Sequence, residues 1–268
     1  MIDPPTRLVL LGHPVAHSIS PRIQNAALGA AHIPLTYETM DVEPARLEDT
    51  LVALAAARAA GNVTIPHKEA VAARCASLTP LARRVGAVNT FWHEGGLLVG
   101  DNTDVGGVDA TVRALLGERM RSARVALIGA GGGAAAVLAA AERWGGVRVA
   151  IYNRHMTRAQ GLAARFPAVA EAVVTLADAL RDATLVVNTT PVGMRDAELP
   201  VPLELLPSGA AVFDLVYRAG ETAWVTGARQ AGHRSADGIG MLVEQGALAF
   251  ARWFGMEPDR DAMWRAMP

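Results

Sequence analysis

The segment VALIGAGGGAAAV, residues 125–137, constrains the fold more than any other part of the chain. An apolar, strand-like run leads into Gly129, Gly131 and Ala134 in the spacing G-x-G-x-x-A, and an alanine-rich, helix-forming stretch follows. In a strand-turn-helix unit the first glycine permits the tight turn, the second lets the backbone approach a pyrophosphate, and the small third residue lets helix and strand pack closely. The helix N-terminus offers N–H groups to phosphate. A Gly-Ala helix that merely packs is the plainer interpretation, but the strands around it favour a dinucleotide-binding unit.

Alternating strand-like and helix-like segments predict an α/β fold with two domains. A doubly wound series opens at Arg124 with RVALIGA and continues through VRVAIYN, ATLVVNTT and AAVFDLVY, and a similar alternation runs through the first hundred residues. The length of 268 residues agrees with two domains at roughly 150 residues each. We predict an N-terminal α/β substrate domain with a mainly parallel sheet, residues 1–104 plus 238–268, and a Rossmann-like dinucleotide-binding domain, residues 105–237.

The end of the strand VRVAIYNR predicts which dinucleotide binds. An NAD-binding unit normally places Asp or Glu there to hold the ribose hydroxyls, but this chain has Asn153 and Arg154, with Arg158 one helical turn later. A carboxylate would repel a 2′-phosphate, whereas guanidinium groups donate charged hydrogen bonds to it. Solvated arginines at a helix start are the alternative. The position after the glycine loop favours NADP over NAD.

Local patterns in the first domain predict where its polar side chains stand. In GNVTIPHK we expect a strand from Asn62 to Ile65, a turn at Pro66, and a helix that Lys68 opens. The segment VNTFWHEGGLLVGDNT predicts a β-hairpin around its Gly-Gly pair. In GHPVAHSISP two serines alternate before a proline, which suits either a small-anion site or an ordinary helix cap.

The composition of the chain limits the kinds of partner that we expect it to bind. The net charge is −1, with 25 basic and 26 acidic residues, so nothing favours nucleic acid or an anionic membrane, and we expect a small-molecule partner. The single cysteine, Cys75, and the absence of a signal-peptide pattern predict a cytoplasmic protein. The histidines lack metal-ligand spacing, so no metal is expected. The oligomeric state is left open, with a homodimer as one alternative.

Nine motifs in order give the chain a close resemblance to the shikimate dehydrogenase family. They span nearly the whole sequence: GHPVAHSISP, GNVTIPHK, GAVNT, DNTDVGG, GAGGGAAA, NRHMTRA, NTTPVGM, DLVY and GIGMLVEQGA. The family reduces 3-dehydroshikimate to shikimate with NADPH, on the pathway to chorismate and the aromatic amino acids. A cleft between the two domains is the expected place for this chemistry.

The resemblance implies a role for each matching residue. It makes Lys68 and Asp104 the catalytic pair, because a lysine ammonium can protonate the carbonyl oxygen while a carboxylate orients it. Ser18, Ser20 and Tyr217 would bind the substrate carboxylate. The remaining groups around the ring hydroxyls would be Thr64, Asn89 and Gln245 beside the catalytic pair. The implied cofactor residues are Gly129, Ala130, Gly131, Gly132, Gly133, Ala134, Asn153, Arg154, His155, Arg158, Thr189, Gly238 and Met241.

Four positions depart from the family pattern. Gln24 stands where histidine is usual, His155 where threonine is common, and Ala219 and Ala223 where prolines are usual. These changes leave the proposed catalytic groups in place but leave open the substrate selectivity and the cofactor affinity. The nearest alternative is a quinate/shikimate or aminoshikimate dehydrogenase within the same superfamily. A non-catalytic protein that senses a metabolite is the alternative of another class, and retention of Lys68, Asp104 and Gln245 argues against it.

Overall fold

The computed structural model describes residues 4–218 and 220–267, and the chain divides into two compact units. The first unit comprises Met1–Asp104 with Leu242–Pro268, and the second comprises Val105–Met241. The expected return to the first domain was at residue 238, four residues before Leu242. Ala219, one of the departures from the family pattern, lies outside the described residues.

The N-terminal part of the first unit alternates strands and helices and finishes with a hairpin. Its strands are β1 (Arg7–Gly12), β2 (Tyr37–Asp41), β3 (Ala59–Val63), β4 (Ser77–Leu78), β5 (Thr90–Glu94) and β6 (Leu97–Asp101). Its helices are α1 (Ser20–Ala30), α2 (Leu47–Ala56), α3 (Lys68–Ala72) and α4 (Pro80–Val85), with a 3₁₀ turn at Pro44–Arg46. The next helix, α5 (Asp104–Leu116), begins at the last residue of this part of the unit.

The sheet of the first unit has the strand order β2-β1-β3-β5-β6-β4. β1 pairs in parallel with β2 and β3, β4 pairs in parallel with β6, and β5 is antiparallel to both of its neighbours. One face packs on α2, α3 and α4 through a cluster that includes Val9, Leu51, Val71 and Phe91. The hairpin between β5 and β6 is confirmed, with Gly95 and Gly96 at positive φ in its turn.

The prediction of a strand from Asn62 to Ile65 is wrong at both ends. The strand starts at Ala59. The sequence does not predict this start, because alanine and glycine have low strand propensity. Gly61 is required there, since a Cβ at this position would lie 1.9 Å from the carbonyl oxygen of Val9. The strand ends at Val63 because Thr64 begins a turn, in which its carbonyl accepts from the His67 N–H at 2.9 Å. The expected helix start at Lys68 is confirmed.

The second unit contains the predicted doubly wound series. Its strands are β7 (Arg124–Ile128), β8 (Arg148–Tyr152), β9 (Ala170–Ala172), β10 (Leu185–Asn188), β11 (Ala211–Asp214) and β12 (Ser235–Ala236). Its helices are α6 (Gly132–Ala141), α7 (Met156–Arg165), α8 (Leu176–Leu180) and α9 (Ala223–Gln230), with 3₁₀ turns at Gly117–Met120 and Leu203–Leu205. The last helices of the chain are α10 (Gly238–Phe254) and α11 (Arg260–Arg265).

All strand pairs in the second sheet are parallel, in the order β12-β11-β10-β7-β8-β9. The order reverses direction between β7 and β10, and in such sheets ligands bind at the carboxyl ends of the strands beside this point. The three central strands, β7, β10 and β11, are almost fully buried and mostly apolar, as parallel sheets covered on both faces require. The predicted α/β class with a Rossmann-like domain is therefore confirmed.

Across residues 4–218 and 220–267, none of the helices combines the length and the apolar character that crossing a lipid bilayer demands.

Candidate active site

Lys68 and Asp104 form a close ion pair in the first unit. Nζ of Lys68 donates to Oδ2 of Asp104 at 2.6 Å, and the two side chains are 24% and 9% exposed. Each residue is the first of its helix, α3 or α5, and the strands before them, β3 and β6, end at the same edge of the sheet. The fold thus brings together two residues that lie 36 positions apart in sequence.

Asn89 fixes the second oxygen of the Asp104 carboxylate. Its Nδ2 donates to Oδ1 of Asp104 at 2.7 Å, and its own Oδ1 accepts the backbone N–H of Thr103 at 2.7 Å. Since a backbone N–H can only donate, this contact determines which end of the Asn89 amide is oxygen. The carboxylate therefore accepts from Lys68 on one side and from Asn89 on the other.

Gln245 joins this cluster from helix α10. Its Oε1 lies 3.1 Å from Nδ2 of Asn89, and its residue is 8% exposed. Gln24, at the position where the family has histidine, is 1% exposed and donates from Nε2 to the carbonyl of Gly246 at 3.0 Å. The Gln24 side chain therefore links α1 to α10 at the residue that follows Gln245.

Two predicted substrate residues at the start of α1 form a second group. Ser18 and Ser20 have their hydroxyl oxygens 3.2 Å apart, and the Ser20 N–H donates to Oγ of Ser18 at 3.3 Å. Thr64 approaches Gly12 so closely that a Cβ on Gly12 would lie 2.4 Å from its methyl carbon. Among the contacts of the described residues, no hydrogen bond joins the two serines to the Lys68 cluster. The structure brings together Lys68, Asn89, Asp104 and Gln245 by hydrogen bonds, and it joins Ser18 to Ser20 in a hydrogen-bonded pair.

The glycine loop of the second unit lies between β7 and α6. Gly129 has φ +113°, and a Cβ there would lie 2.4 Å from Oγ1 of Thr189, which donates to the carbonyl of Ile128 at 2.8 Å. At Gly131 and Gly132 a Cβ would meet nothing within 4 Å, so the space above the loop is open. Helix α6 starts there without a side-chain cap. Open space and uncapped N–H groups at a parallel sheet's carboxyl edge fit a pyrophosphate.

The end of β8 supplies cations and no carboxylate. Arg154 and Arg158 are exposed, and neither guanidinium has a hydrogen-bond or ion-pair partner within the part of the chain that the structure describes. Asn153 turns its Oδ1 to the backbone N–H of His155 at 2.8 Å, and His155 is itself exposed at the start of α7. This donor set fits a cofactor with a phosphate on its ribose.

Asp214 is buried at the end of β11, three residues before Tyr217. Its carboxylate accepts from Asn188 Nδ2 at 2.8 Å, from the Val216 N–H at 3.1 Å and from Thr222 Oγ1 at 2.9 Å. Burial raises its pKa, against the opposing effect of these donors. The hydrogen bonds fix the backbone that leads to Tyr217, which is half-buried. Thr222 also caps α9, so Ala223 opens that helix without the proline usual in the family.

Two further predicted cofactor residues follow β12. A Cβ on Gly238 would lie 2.3 Å from the carbonyl oxygen of Leu215, so only glycine fits this approach. Met241 is half-buried on the first turn of α10. Just before them, burial raises the pKa of Asp237, whose carboxylate accepts the Ile239 N–H at 3.0 Å. In the described ranges, no group of three His, Cys, Asp or Glu side chains could hold a metal ion.

The count of basic residues carries a signal that the motifs do not. The 25 basic residues are 24 arginines and a single lysine, Lys68. Arginine keeps its proton in proteins, whereas an amine can donate and regain one. Lys68 is therefore the one side-chain amine of this chain.

Comparison with known proteins agrees with these features. Residues 10–91 match the model of the shikimate dehydrogenase substrate binding domain, residues 112–192 that of shikimate / quinate 5-dehydrogenase, and residues 238–267 that of the shikimate 5'-dehydrogenase C-terminal domain. A shikimate dehydrogenase (NADP(+)) of Symbiobacterium thermophilum is 42% identical over 96% of this chain and 91% of its own length. The chain belongs to the shikimate dehydrogenase family.

Solved structures of the family share the whole fold. Shikimate 5-dehydrogenase of Thermus thermophilus, in complex with NADP(H) and shikimate, is 38% identical with a TM-score of 0.89, over 99% of this chain and 98% of that one. Quinate dehydrogenase of Corynebacterium glutamicum, in complex with NAD, is 28% identical with a TM-score of 0.89, over 98% and 99%. The shikimate dehydrogenase family consists of oxidoreductases, so the chain is an enzyme of that class.

Proposed function

We propose that the protein catalyses the reversible, NADPH-dependent reduction of 3-dehydroshikimate to shikimate, in the pathway to chorismate and the aromatic amino acids. In this proposal the first unit binds the substrate and the second binds NADP. The observation that carries it is the Lys68–Asp104 pair at 2.6 Å, oriented by Asn89 in a chain with no other lysine.

The proton needed by this reaction comes from Lys68. NADPH, when bound, supplies a hydride to the carbonyl carbon, which leaves the carbonyl oxygen in need of a proton. The Lys68 ammonium has three N–H groups, of which Asp104 accepts one, so two remain for oxygens of the substrate ring. In the oxidation of shikimate the neutral amine accepts the hydroxyl proton. A positioned acid or base of this kind accelerates such a step by roughly 10² to 10⁴.

The substrate carboxylate is assigned to Ser18, Ser20 and Tyr217. The two serine hydroxyls lie side by side and can donate to the same anion. We assign the ring hydroxyls to Thr64, Asn89 and Gln245. Asn89 and Gln245 lie beside the catalytic pair, so a hydroxyl held there would also be within reach of Lys68.

The cofactor is assigned to the loop from Gly129 to Ala134, with Arg154 and Arg158 on its 2′-phosphate. The two exposed guanidiniums and the missing carboxylate support NADP over NAD. The other residues assigned to the cofactor are Asn153, His155, Thr189, Gly238 and Met241.

Steady-state kinetics with shikimate and quinate, each with NADP⁺ and NAD⁺, test the proposal. The expected result is a kcat/KM for shikimate that is at least about tenfold higher with NADP⁺ than with NAD⁺, since one charged contact changes the free energy of binding by about 1.5 to 3 kcal/mol. With either cofactor, kcat/KM for shikimate should exceed that for quinate. A preference for quinate with NAD⁺ would assign the chain to the quinate branch. No shikimate-dependent reduction of either cofactor would refute the proposal.

A cytoplasmic location is also proposed, because a chain with a single cysteine has no internal disulfide and suits a reducing compartment. Fractionation of the native cells tests it. A homodimer stays an open alternative that sedimentation of the purified chain decides.

A further inference from the structure

A line of buried hydrogen bonds crosses the first unit and ends on Asp104. The Tyr37 hydroxyl donates to Oδ1 of Asn62 at 2.8 Å, and Nδ2 of Asn62 donates to Oγ1 of Thr90 at 2.9 Å. The Thr90 hydroxyl donates to Oδ1 of Asn89 at 3.0 Å, and Asn89 donates to Asp104 at 2.7 Å. All five residues are at most 6% exposed.

Backbone groups fix the orientation of the two amides in this line, while the Thr90 hydroxyl also lies 3.1 Å from Oγ1 of Thr103. Nδ2 of Asn62 also donates to the carbonyl of Asn89 at 3.0 Å, and a carbonyl can only accept. The Asn62 amide is therefore held with its nitrogen toward Thr90. At the other end, the Thr103 N–H holds the Asn89 amide with its oxygen toward Thr90. The Thr90 hydroxyl fits between a donor and an acceptor, which no apolar side chain of the same shape can do.

We propose that Tyr37, Asn62 and Thr90 are positioning residues, which fix the Asn89 amide and through it the Asp104 carboxylate that holds Lys68. The register of the sheet supports this, because Asn62 pairs with Thr90 across β3 and β5, and Thr90 pairs with Asp101 across β5 and β6. The effect of these three residues on catalysis rests on the proposed function of the Lys68–Asp104 pair. Their effect on the position of Lys68 is independent of that function.

Two substitutions at Thr90 separate its hydroxyl from its packing. Thr90→Val keeps the shape and removes the hydroxyl, whereas Thr90→Ser keeps the hydroxyl and removes a methyl group. We expect Thr90→Val to lower kcat about tenfold and Thr90→Ser to remain within about threefold of wild type. The Kd of NADP⁺ should be unchanged in both, since Thr90 belongs to the first unit. If Thr90→Ser is impaired as much as Thr90→Val, the residue acts through packing and the proposal is overturned.

The single lysine provides a readout that does not depend on activity. Labelling with [ε-¹³C]lysine gives one side-chain NMR signal, from Lys68. This signal should move in Thr90→Val and keep its wild-type position in Thr90→Ser. His93→Leu is the matched control: His93 lies on the opposite face of β5, is 7% exposed, and bonds to the Ala59 carbonyl at 2.7 Å. It should leave both the signal and kcat unchanged.

Tyr37→Phe provides a second variant at the far end of the line, in case Thr90→Val does not fold. It removes one hydroxyl from a buried ring and should lower kcat about threefold, with a smaller movement of the Lys68 signal. An inactive wild type whose Lys68 signal still moves in Thr90→Val would refute the proposed function and retain the positioning role. A wild-type signal and kcat in folded Thr90→Val or in Tyr37→Phe would overturn the positioning role itself.

Discussion

Asp104→Asn is the substitution that tests the geometry of the proposed catalytic pair, Lys68 and Asp104, most directly. The carboxylate accepts from Lys68 Nζ at 2.6 Å and from Asn89 Nδ2 at 2.7 Å, and the Asn89 amide cannot turn over because the Thr103 N–H holds its oxygen. An amide at position 104 has one oxygen and one nitrogen. Whichever way it points, its NH₂ group faces another donor, so one of the two contacts must break.

The magnitude follows from the loss of one charged hydrogen bond at a site that is nearly buried. Asp104 is 9% exposed in its side chain and Lys68 is 24% exposed, so solvent replaces the lost partner only in part. Such a bond contributes about 1.5 to 3 kcal/mol, and we expect the free energy of unfolding to fall by about 2 kcal/mol. Since Lys68 then moves from its place, kcat for shikimate oxidation should fall by at least about 10².

The assay combines urea unfolding with steady-state kinetics, and Asp109→Asn is the control. Asp109 lies on the same helix, α5, where it accepts from Trp144 Nε1 at 2.8 Å and pairs with the exposed Arg113. An asparagine oxygen can still accept from the indole, and an exposed pair at this spacing contributes only about 0.3 to 0.5 kcal/mol. Asp109→Asn should therefore keep wild-type kcat. If Asp104→Asn retains kcat within about threefold of wild type, Asp104 does not position the proton donor.

Three other predictions concern Lys68, the pair Arg154 and Arg158, and Cys75. Lys68→Ala and Lys68→Arg should each lower kcat by at least about 10², with a much smaller change in the Kd of shikimate. Alanine removes the ammonium group, and arginine keeps the charge but cannot transfer the proton. Near-wild-type turnover of either variant would show that Lys68 is not the acid. The double variant Arg154→Ala, Arg158→Ala should bind NADP⁺ at least about tenfold more weakly in calorimetry and bind NAD⁺ as the wild type does, since only NADP⁺ carries the 2′-phosphate. An equal loss of affinity for both cofactors would contradict the assignment of these arginines to the 2′-phosphate. Burial raises the pKa of Cys75 to about 11, so its alkylation at pH 8 should be about 100-fold slower than in the urea-unfolded chain, and equal rates would show an exposed thiolate.

Local patterns in the sequence predict the cofactor loop, the hairpin and the start of α3. Each depends on residues that are neighbours in the chain: Gly129 to Ala134 after an apolar strand, Gly95 with Gly96 between two strands, and Pro66 before Lys68. In these segments the local sequence favours the observed conformation by itself, and the tertiary contacts favour the same conformation.

Contacts between distant segments explain what the sequence does not predict. The strand β3 reads as alanine, alanine, glycine, asparagine and valine, and it is a strand because it pairs with β1 and β5. The strands β4, β9 and β12 have only two or three residues, too few for a period of two to be visible. No local pattern assigns a function to Thr90, whose partner Asn62 lies 28 positions away.

The contrast between Lys68 and the arginines shows how composition can locate chemistry that spacing alone leaves open. Arginine can pair with carboxylates, bind phosphate and cover apolar surface, so a chain can use it for every structural cation. It cannot serve as a proton donor near neutral pH, because its proton is held too tightly. Lys68 is the only lysine beside 24 arginines, so the proposed proton donor is the one side chain among these 25 that can release its proton in this way. The 2.6 Å contact between Lys68 Nζ and Asp104 Oδ2 supports this proposal with a defined geometry. The variant Lys68→Arg tests whether Lys68 is the proton donor, because it keeps the positive charge constant.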